Sequence, residues 1–220
     1  MNYFRLVNNC LLELNYKQVE SFADLYKGDH KRILENLNRV NFEVCSGFDW
    51  LFLQHRESFE VLKGEYELPN PAEGTLKKVF LNGNELKYTP NYELFYAGRA
   101  FGQVPQGVNG LYSCFEDRLL IAPPQNESVL DVYYVSNQYA TDFEGVPKAK
   151  METAQDESVL PMPYRESILV YGACMKLKGN PEHNKFKFWF SLYNEALANL
   201  RARALFSGEE APKILMRRRF

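Results

Sequence analysis

The amino-acid sequence predicts an α+β protein: a four-helix cluster drawn from the N- and C-terminal parts of the chain, with an antiparallel β region inserted between helices two and three. Three observations carry this expectation. Apolar residues recur at three- and four-residue steps near both ends of the chain. Between residues 50 and 140 the texture changes to short aromatic and branched runs broken by turn residues. None of the four helical stretches is apolar all round, so each needs a partner, and packing them on one another supplies it economically. The expected organisation is a discontinuous helical domain at 1–49 and 158–207, an inserted β domain at 50–140, an acidic linker or loop at 141–157 and a C-terminal tail at 208–220.

The elements follow in order. Phe4, Val7, Leu11 and Leu14 mark a first helix. After a polar stretch ending in KGDH, Asp29 is the expected N-cap of a second, whose stripe is Ile33, Leu34, Leu37, Val40 and Val44 and whose stop is Gly47. DWLFLQHRESFEVLKGEYELP reads as two or three short strands. In TLKKVFLNGNELKYTP, Asn82-Gly83 signals a tight hairpin, because a type I′ turn needs positive φ at both central residues. GLYSCFEDRLLIAPP turns at Glu116-Asp117, and VLDVYYVSNQYAT is a further strand. AGRAFGQVPQGVNG, 97–110, holds four glycines and one proline and reads as a loop. Helix returns with Pro163 at its first position and stops at Gly179. Asn180 and Pro181 then start a last helix, with Phe186, Trp189, Phe190, Tyr193, Leu197 and Leu200 on its apolar face, running to about Phe206.

At 220 residues the chain suits one large domain or two small ones and can bury a core without staples. Its net charge of −2 argues against nucleic-acid binding over the whole surface. The charge is uneven, however. Asp142, Glu144, Glu152, Asp156 and Glu157 outweigh Lys148 and Lys150 in the 141–160 stretch, and the end of the chain, KILMRRRF, is basic and apolar together. Cys10, Cys45, Cys114 and Cys174 form no CxxC pair and are expected as free, mostly buried thiols in a reducing compartment. No apolar run approaches a membrane span, and the N-terminal residues lack a signal-peptide pattern.

The residues carry little that points to catalysis. His30, His55 and His183 are isolated, with no ligand-spaced partner, so no metal is expected. No phosphate-binding loop, nucleophile elbow or HExxH pair occurs. Glu116-Asp117 and Asp156-Glu157 have turn and linker explanations, and Cys114 has no neighbouring His to activate it. The aromatic run FKFWF, 186–190, offers a stacking platform on paper, but its helical spacing reads as core. The expectation is a non-enzyme without cofactors.

The order of elements and several strings resemble the head-to-tail adaptor (connector) proteins of tailed bacteriophages, the group that includes tail tubular protein A of short-tailed phages. The likeness lies in the N-terminal helix pair, FDWLFLQHRESFEVLKGEYELPNP at 48–71, TLKKVFLNGNELKY at 75–88, GLYSCFEDRLLIAPP with VLDVYYV, and LPMPYRESILVYGACMKLKGN before the final helix. It spans most of residues 2–206.

The resemblance implies a structural virion protein made in the host cytoplasm. It would form a ring, in the usual case a dodecamer, beneath the portal protein. That ring extends the DNA channel, without sequence-specific DNA binding or a membrane, and docks the next tail or nozzle component. It also implies portal docking by the tail. Ile214, Leu215, Met216 and Phe220 would fill grooves, and Arg217, Arg218 and Arg219 would meet acidic rims or phosphate. Ring or tail contacts are expected from Arg99, Phe101, Val104, Tyr133, Tyr134 and Tyr139, and channel-lining acids from Glu144, Glu152, Asp156 and Glu157. Rival readings are another neck or baseplate assembly protein, a peptide- or glycan-binding β module on a helical base, and an enzyme whose site converges from distant positions. A concave pocket with perturbed carboxylates would favour the enzyme. A single exposed aromatic patch would favour the binding module, and two unlike, complementary flanks the adaptor.

Overall fold

The structure is a computed structural model and describes residues 1–70, 74–97, 107–180, 182 and 184–206. It is a mixed α+β fold with five α-helices and a large curled seven-stranded sheet among those residues. The chain divides into two compact units: Met1–Phe52 together with the chain from Gln138 onwards, and the continuous stretch Leu53–Asn137.

In the first unit, α1 (Tyr3–Glu13), α2 (Gly28–Ser46), α4 (Met162–Lys178) and α5 (Phe186–Phe206) are the long elements. Asn2 caps α1 by accepting the Arg5 N–H at 3.1 Å. Helix α2 begins one residue before Asp29, with extended Lys27 as its flank and no side-chain cap. Asp29, expected as that cap, instead sits in the first turn, where its charge still favours the positive end of the helix. Pro163 occupies the second position of α4, not the first, because Met162 already has helical geometry. Asn180 does accept the Glu182 N–H at 2.9 Å, but α5 starts only at Phe186, so Asn180 caps a turn ahead of the helix.

Helix α4 packs against α1, α2 and α5. Its middle reads Ile168, Leu169, Val170, Gly172, Ala173 and Cys174, all buried. The helix still keeps a polar side, with Glu166 and Lys176 exposed, but its middle is covered on several sides because three other helices touch it. Burial of Ile168 and Leu169 contributes roughly 2 kcal/mol each. The backbones of α2 and α4 approach closely at Gly172, where a Cβ would lie 2.8 Å from Val40 Cγ1 and 3.1 Å from a Tyr193 ring carbon.

The stretch 141–157, expected as an acidic linker or loop, is built into this unit by short strands. β8 (Ala140–Thr141) pairs antiparallel with β9 (Pro147–Lys148) and with β10 (Glu157–Ser158). Two asparagines of α2 hold it down. Asn38 exchanges two hydrogen bonds with the backbone of Met151, at 2.9 and 3.0 Å. Asn41 donates to the Tyr139 carbonyl at 2.8 Å and accepts from the Ser158 hydroxyl at 2.7 Å. Polar side chains therefore replace a strand partner at these points.

The second unit is a sheet in the order β1-β7-β3-β4-β5-β6-β2. Its strands are β1 (Gln54–Val61), β2 (Glu67–Pro69), β3 (Gly74–Leu81), β4 (Asn84–Tyr88), β5 (Leu111–Phe115), β6 (Arg118–Ile121) and β7 (Ser128–Ser136). The β3–β4 hairpin turns at Asn82-Gly83 with φ of +50° and +78°, and the β5–β6 hairpin has Glu116 at +51°. One pairing departs from the antiparallel expectation: β4 and β5 run parallel, through Lys87↔Leu111 and Tyr88↔Tyr112. Parallel neighbours need a crossover connection, and this one carries the short helix α3 (Glu93–Tyr96). Its Phe95 is buried against Val108 and Leu120. Val61 and Leu68 on the two edge strands share one core with Val79, Leu119, Leu130 and Val132, so the sheet curls around its inner face.

Candidate functional site

The residues assigned to partners from sequence fall into three groups. Ile214, Leu215, Met216, Arg217, Arg218, Arg219 and Phe220 lie outside the described residues, as do Arg99, Phe101 and Val104. The remaining tyrosines and acids are placed.

Tyr133 and Tyr134 project from opposite faces of β7, whose burial alternates along the strand. Tyr134 is buried in the sheet core, and its hydroxyl donates to the Glu57 carboxylate. It is a core residue, which corrects its assignment to an interface. Tyr133 faces outward. It packs edge-on against Phe80 and lies under the Arg56 guanidinium at 5.7 Å. Arg56 also donates to Asp131 at 3.0 Å, and Ser58 donates to the same carboxylate. These hydrogen bonds, Ser58's first, hold the Asp131 carboxyl below its ordinary range. Tyr139 is half-buried, with its ring edge-on to Phe42 at 5.8 Å.

Of the four acids expected along a channel, Asp156 is fully buried. Its carboxylate accepts the backbone N–H groups of Glu152 at 2.6 Å and Thr153 at 2.8 Å, the Thr153 hydroxyl at 2.7 Å and the Lys148 ammonium at 3.0 Å. Burial alone would raise its pKa, but these donors outweigh burial and bring it down to about 2. Asp156 thus organises the 147–157 turn and presents no charge to a channel, a correction to its assignment. Glu157 is half-buried and bound to the Met1 amino group at 3.0 Å and to Arg165 at 2.7 Å; burial opposes its ionisation, and these two cations lower its pKa overall. Glu144 and Glu152 are exposed, and Glu152 pairs with Lys150 at 3.3 Å.

Helix α5 departs from its expected role as uniform core filler. Trp189 is fully buried, with its indole N–H donating to Glu13 at 3.0 Å. Phe188 and Phe190, however, are 55% and 54% exposed. The reason is angular: at 100° per residue, Phe188 and Phe190 lie about 100° to either side of Trp189 and cannot share its stripe. Phe188 leans edge-on to Tyr171, and Phe190 stacks on Phe186 at 6.4 Å. Phe186, Phe190 and Tyr193, with Val40, Gly172 and Met175, line an open groove of about 390 Å³ between α2, α4 and α5. On its rim Lys176 reaches Glu43 at 2.9 Å, and Arg39, one turn earlier on α2, reaches the same carboxylate at 3.1 Å. Burial raises the Glu43 pKa, but these two cations, Lys176 first, lower it overall.

A second apolar prominence stands at the β8–β9 hairpin. Phe143 is 77% exposed at its tip, beside exposed Val146. The tip is held by Asp142, whose carboxylate accepts the N–H groups of Glu144 and Val146, each at 2.9 Å. Gly145 has φ of +86°, which completes the turn and bulge.

No family model and no curated protein sequence matches the chain. Among the described residues, no three His, Cys, Asp or Glu side chains gather so as to hold a metal ion. No described helix is long and apolar enough to cross a membrane. The four cysteines are unpaired, and burial raises the thiol pKa of Cys10, Cys45 and Cys114. The arrangement offers contact surfaces: an apolar groove with a basic rim, an apolar hairpin tip flanked by acids, and an outward aromatic–arginine cluster on β1 and β7.

Proposed function

We propose that this protein is a head-to-tail adaptor of a tailed bacteriophage: a structural subunit that assembles as a ring under the portal, extends the DNA channel and docks the next tail component. The observation that carries the proposal is the pair of unlike apolar features on the unit built from both ends of the chain, the α2/α4/α5 groove and the Phe143 hairpin. A ring subunit needs two different, complementary flanks, because each copy meets the opposite side of the next. In this reading α1, α2, α4 and α5 form the four-helix cluster of the ring body, with 53–137 as the excursion between helices two and three of that cluster. The C-terminal residues Ile214 to Phe220 bind the portal, and the virion neck is the site of action. Exposed Glu152 remains as a channel-lining acid.

Co-sedimentation of the full-length chain with assembled portal oligomers tests this. One copy bound per portal subunit is the expected result. Absence of binding, with both proteins folded, would move the protein to another neck or baseplate role.

A further inference from the structure

We infer that the hairpin tip carrying Phe143 and Val146 inserts into the α2/α4/α5 groove of a neighbouring copy, making a head-to-tail contact between identical chains. The inference rests on the ring reading for its setting and names the residues that would join the ring.

Three observations lead to it. The first is complementarity of form. The tip presents two exposed apolar side chains on a turn fixed by Asp142, and the groove is an open apolar hollow floored by Gly172. The second is charge. Asp142 and Glu144 make the tip net acidic; in the groove lining Lys176 and Glu43 pair, and Arg39, which also reaches Glu43, with exposed Lys187 next to Phe186 leaves an excess of positive charge beside it. An acidic knob therefore meets a basic rim, which favours this docking over knob-to-knob or groove-to-groove contact.

The third is direction. Asn38, Asn41 and Phe42 of α2 face Met151 and Tyr139, the segment that carries the hairpin. Val40 and Glu43 face Gly172 and Lys176 across the groove. At 100° per residue these two sets lie on opposite sides of α2. Knob and hollow thus look away from each other within one copy, so the hairpin cannot fill its own groove. The contact is heterologous and propagates to further copies, closing as a ring or running on as a filament.

Two variants test it, both at residues more than half exposed: Phe143→Asp in the knob and Phe190→Asp in the groove. Circular dichroism first establishes that both keep the wild-type fold. In sedimentation velocity, the wild-type chain is expected to grow beyond two copies with concentration. Each variant should raise the concentration for half-assembly by about tenfold or more. Mixing the variants is the decisive step. The intact groove of the Phe143→Asp chain should accept the intact knob of the Phe190→Asp chain, giving a one-to-one dimer that stops there. A wild-type chain that stays monomeric at its highest soluble concentration overturns the inference. So do variants that assemble like wild type, loss of assembly with the groove variant alone, which would give the groove another occupant, or a mixture that yields no dimer. Portal co-sedimentation of the same variants separates the two proposals: variants that assemble normally and still bind portal leave the adaptor reading standing and remove only this contact.

Discussion

Asp156 shows how a residue's role changes once its donors are known. In sequence it is one of five acids in a polar stretch; in the fold it is the buried acceptor for four donors. Its pKa is depressed from the ordinary 3.8 to about 2. A depressed carboxyl contributes stability above its unfolded pKa and loses it as pH falls through its folded one. The expected contribution is about 2 kcal/mol at neutral pH, disappearing between about pH 4 and pH 2. Asp156→Asn should lose at least that much at neutral pH and flatten the acid limb, as read from urea unfolding across this range. Nothing in the sequence identified this convergence, because the Glu152 and Thr153 N–H groups, four and three residues earlier, turn back onto the carboxylate together with Lys148 from β9. Tyr134 is different. Its inward direction was legible, because strict alternation along VLDVYYV places Tyr133 and Tyr134 on opposite faces. Phe190 was read as core from the spacing in FKFWF, although its 100° offset from Trp189 turns it off that stripe.

Among the elements, the strongest local signals translate directly. The helical stripes of α1 and α2 and the turns at Asn82-Gly83 and Glu116-Asp117 rest on periodicity and on positive φ, both local properties. The misses are non-local. The β4–β5 pairing depends on where the chain returns after a crossover, and the small β8–β9–β10 sheet depends on Asn38 and Asn41 supplied by α2. Helix α4 belongs to the same class. Its sequence has little one-sidedness because three helices cover it, and Gly172 reads as a helix weakener until Val40 is seen beside it. An alanine at a helix-interior glycine ordinarily adds up to about 1 kcal/mol. Here the added methyl meets a stiff branched side chain at 2.8 Å, so Gly172→Ala should instead destabilise by about 1–3 kcal/mol. Val40→Ala in the same chain should recover part of that loss. A double-mutant cycle by denaturant unfolding should therefore show a coupling of about 1 kcal/mol, and additive costs would mean that the helices simply move apart.

For the whole molecule, the described core of the first unit reaches Leu200 on the last helix. Removal of residues 211–220 should therefore leave the circular dichroism spectrum and unfolding midpoint unchanged, and under the proposed adaptor function it should weaken portal co-sedimentation. A large loss of helix would make the tail part of the core. The coarse α+β character was legible because each half of the pattern has its own period. The contact surfaces were not, because knob and groove are defined by what neighbouring elements leave uncovered.

The first unit joins the two ends of the chain, with Met1 bound to Glu157 and Lys185 donating to the Glu13 carbonyl. This has a consequence for the protein as it leaves the ribosome. The strands of the second unit are contiguous and all emerge before α4 does. Helices α1 and α2 appear first, yet α4, which packs on both and meets Cys10 and Val40, is made only after the chain from Ser46 to Met162 has been translated. At ordinary elongation rates that interval is on the order of ten seconds. For that time the nascent helical pair carries an uncovered greasy face, so holdase chaperones are expected to bind the chain at this stage of synthesis more than after release.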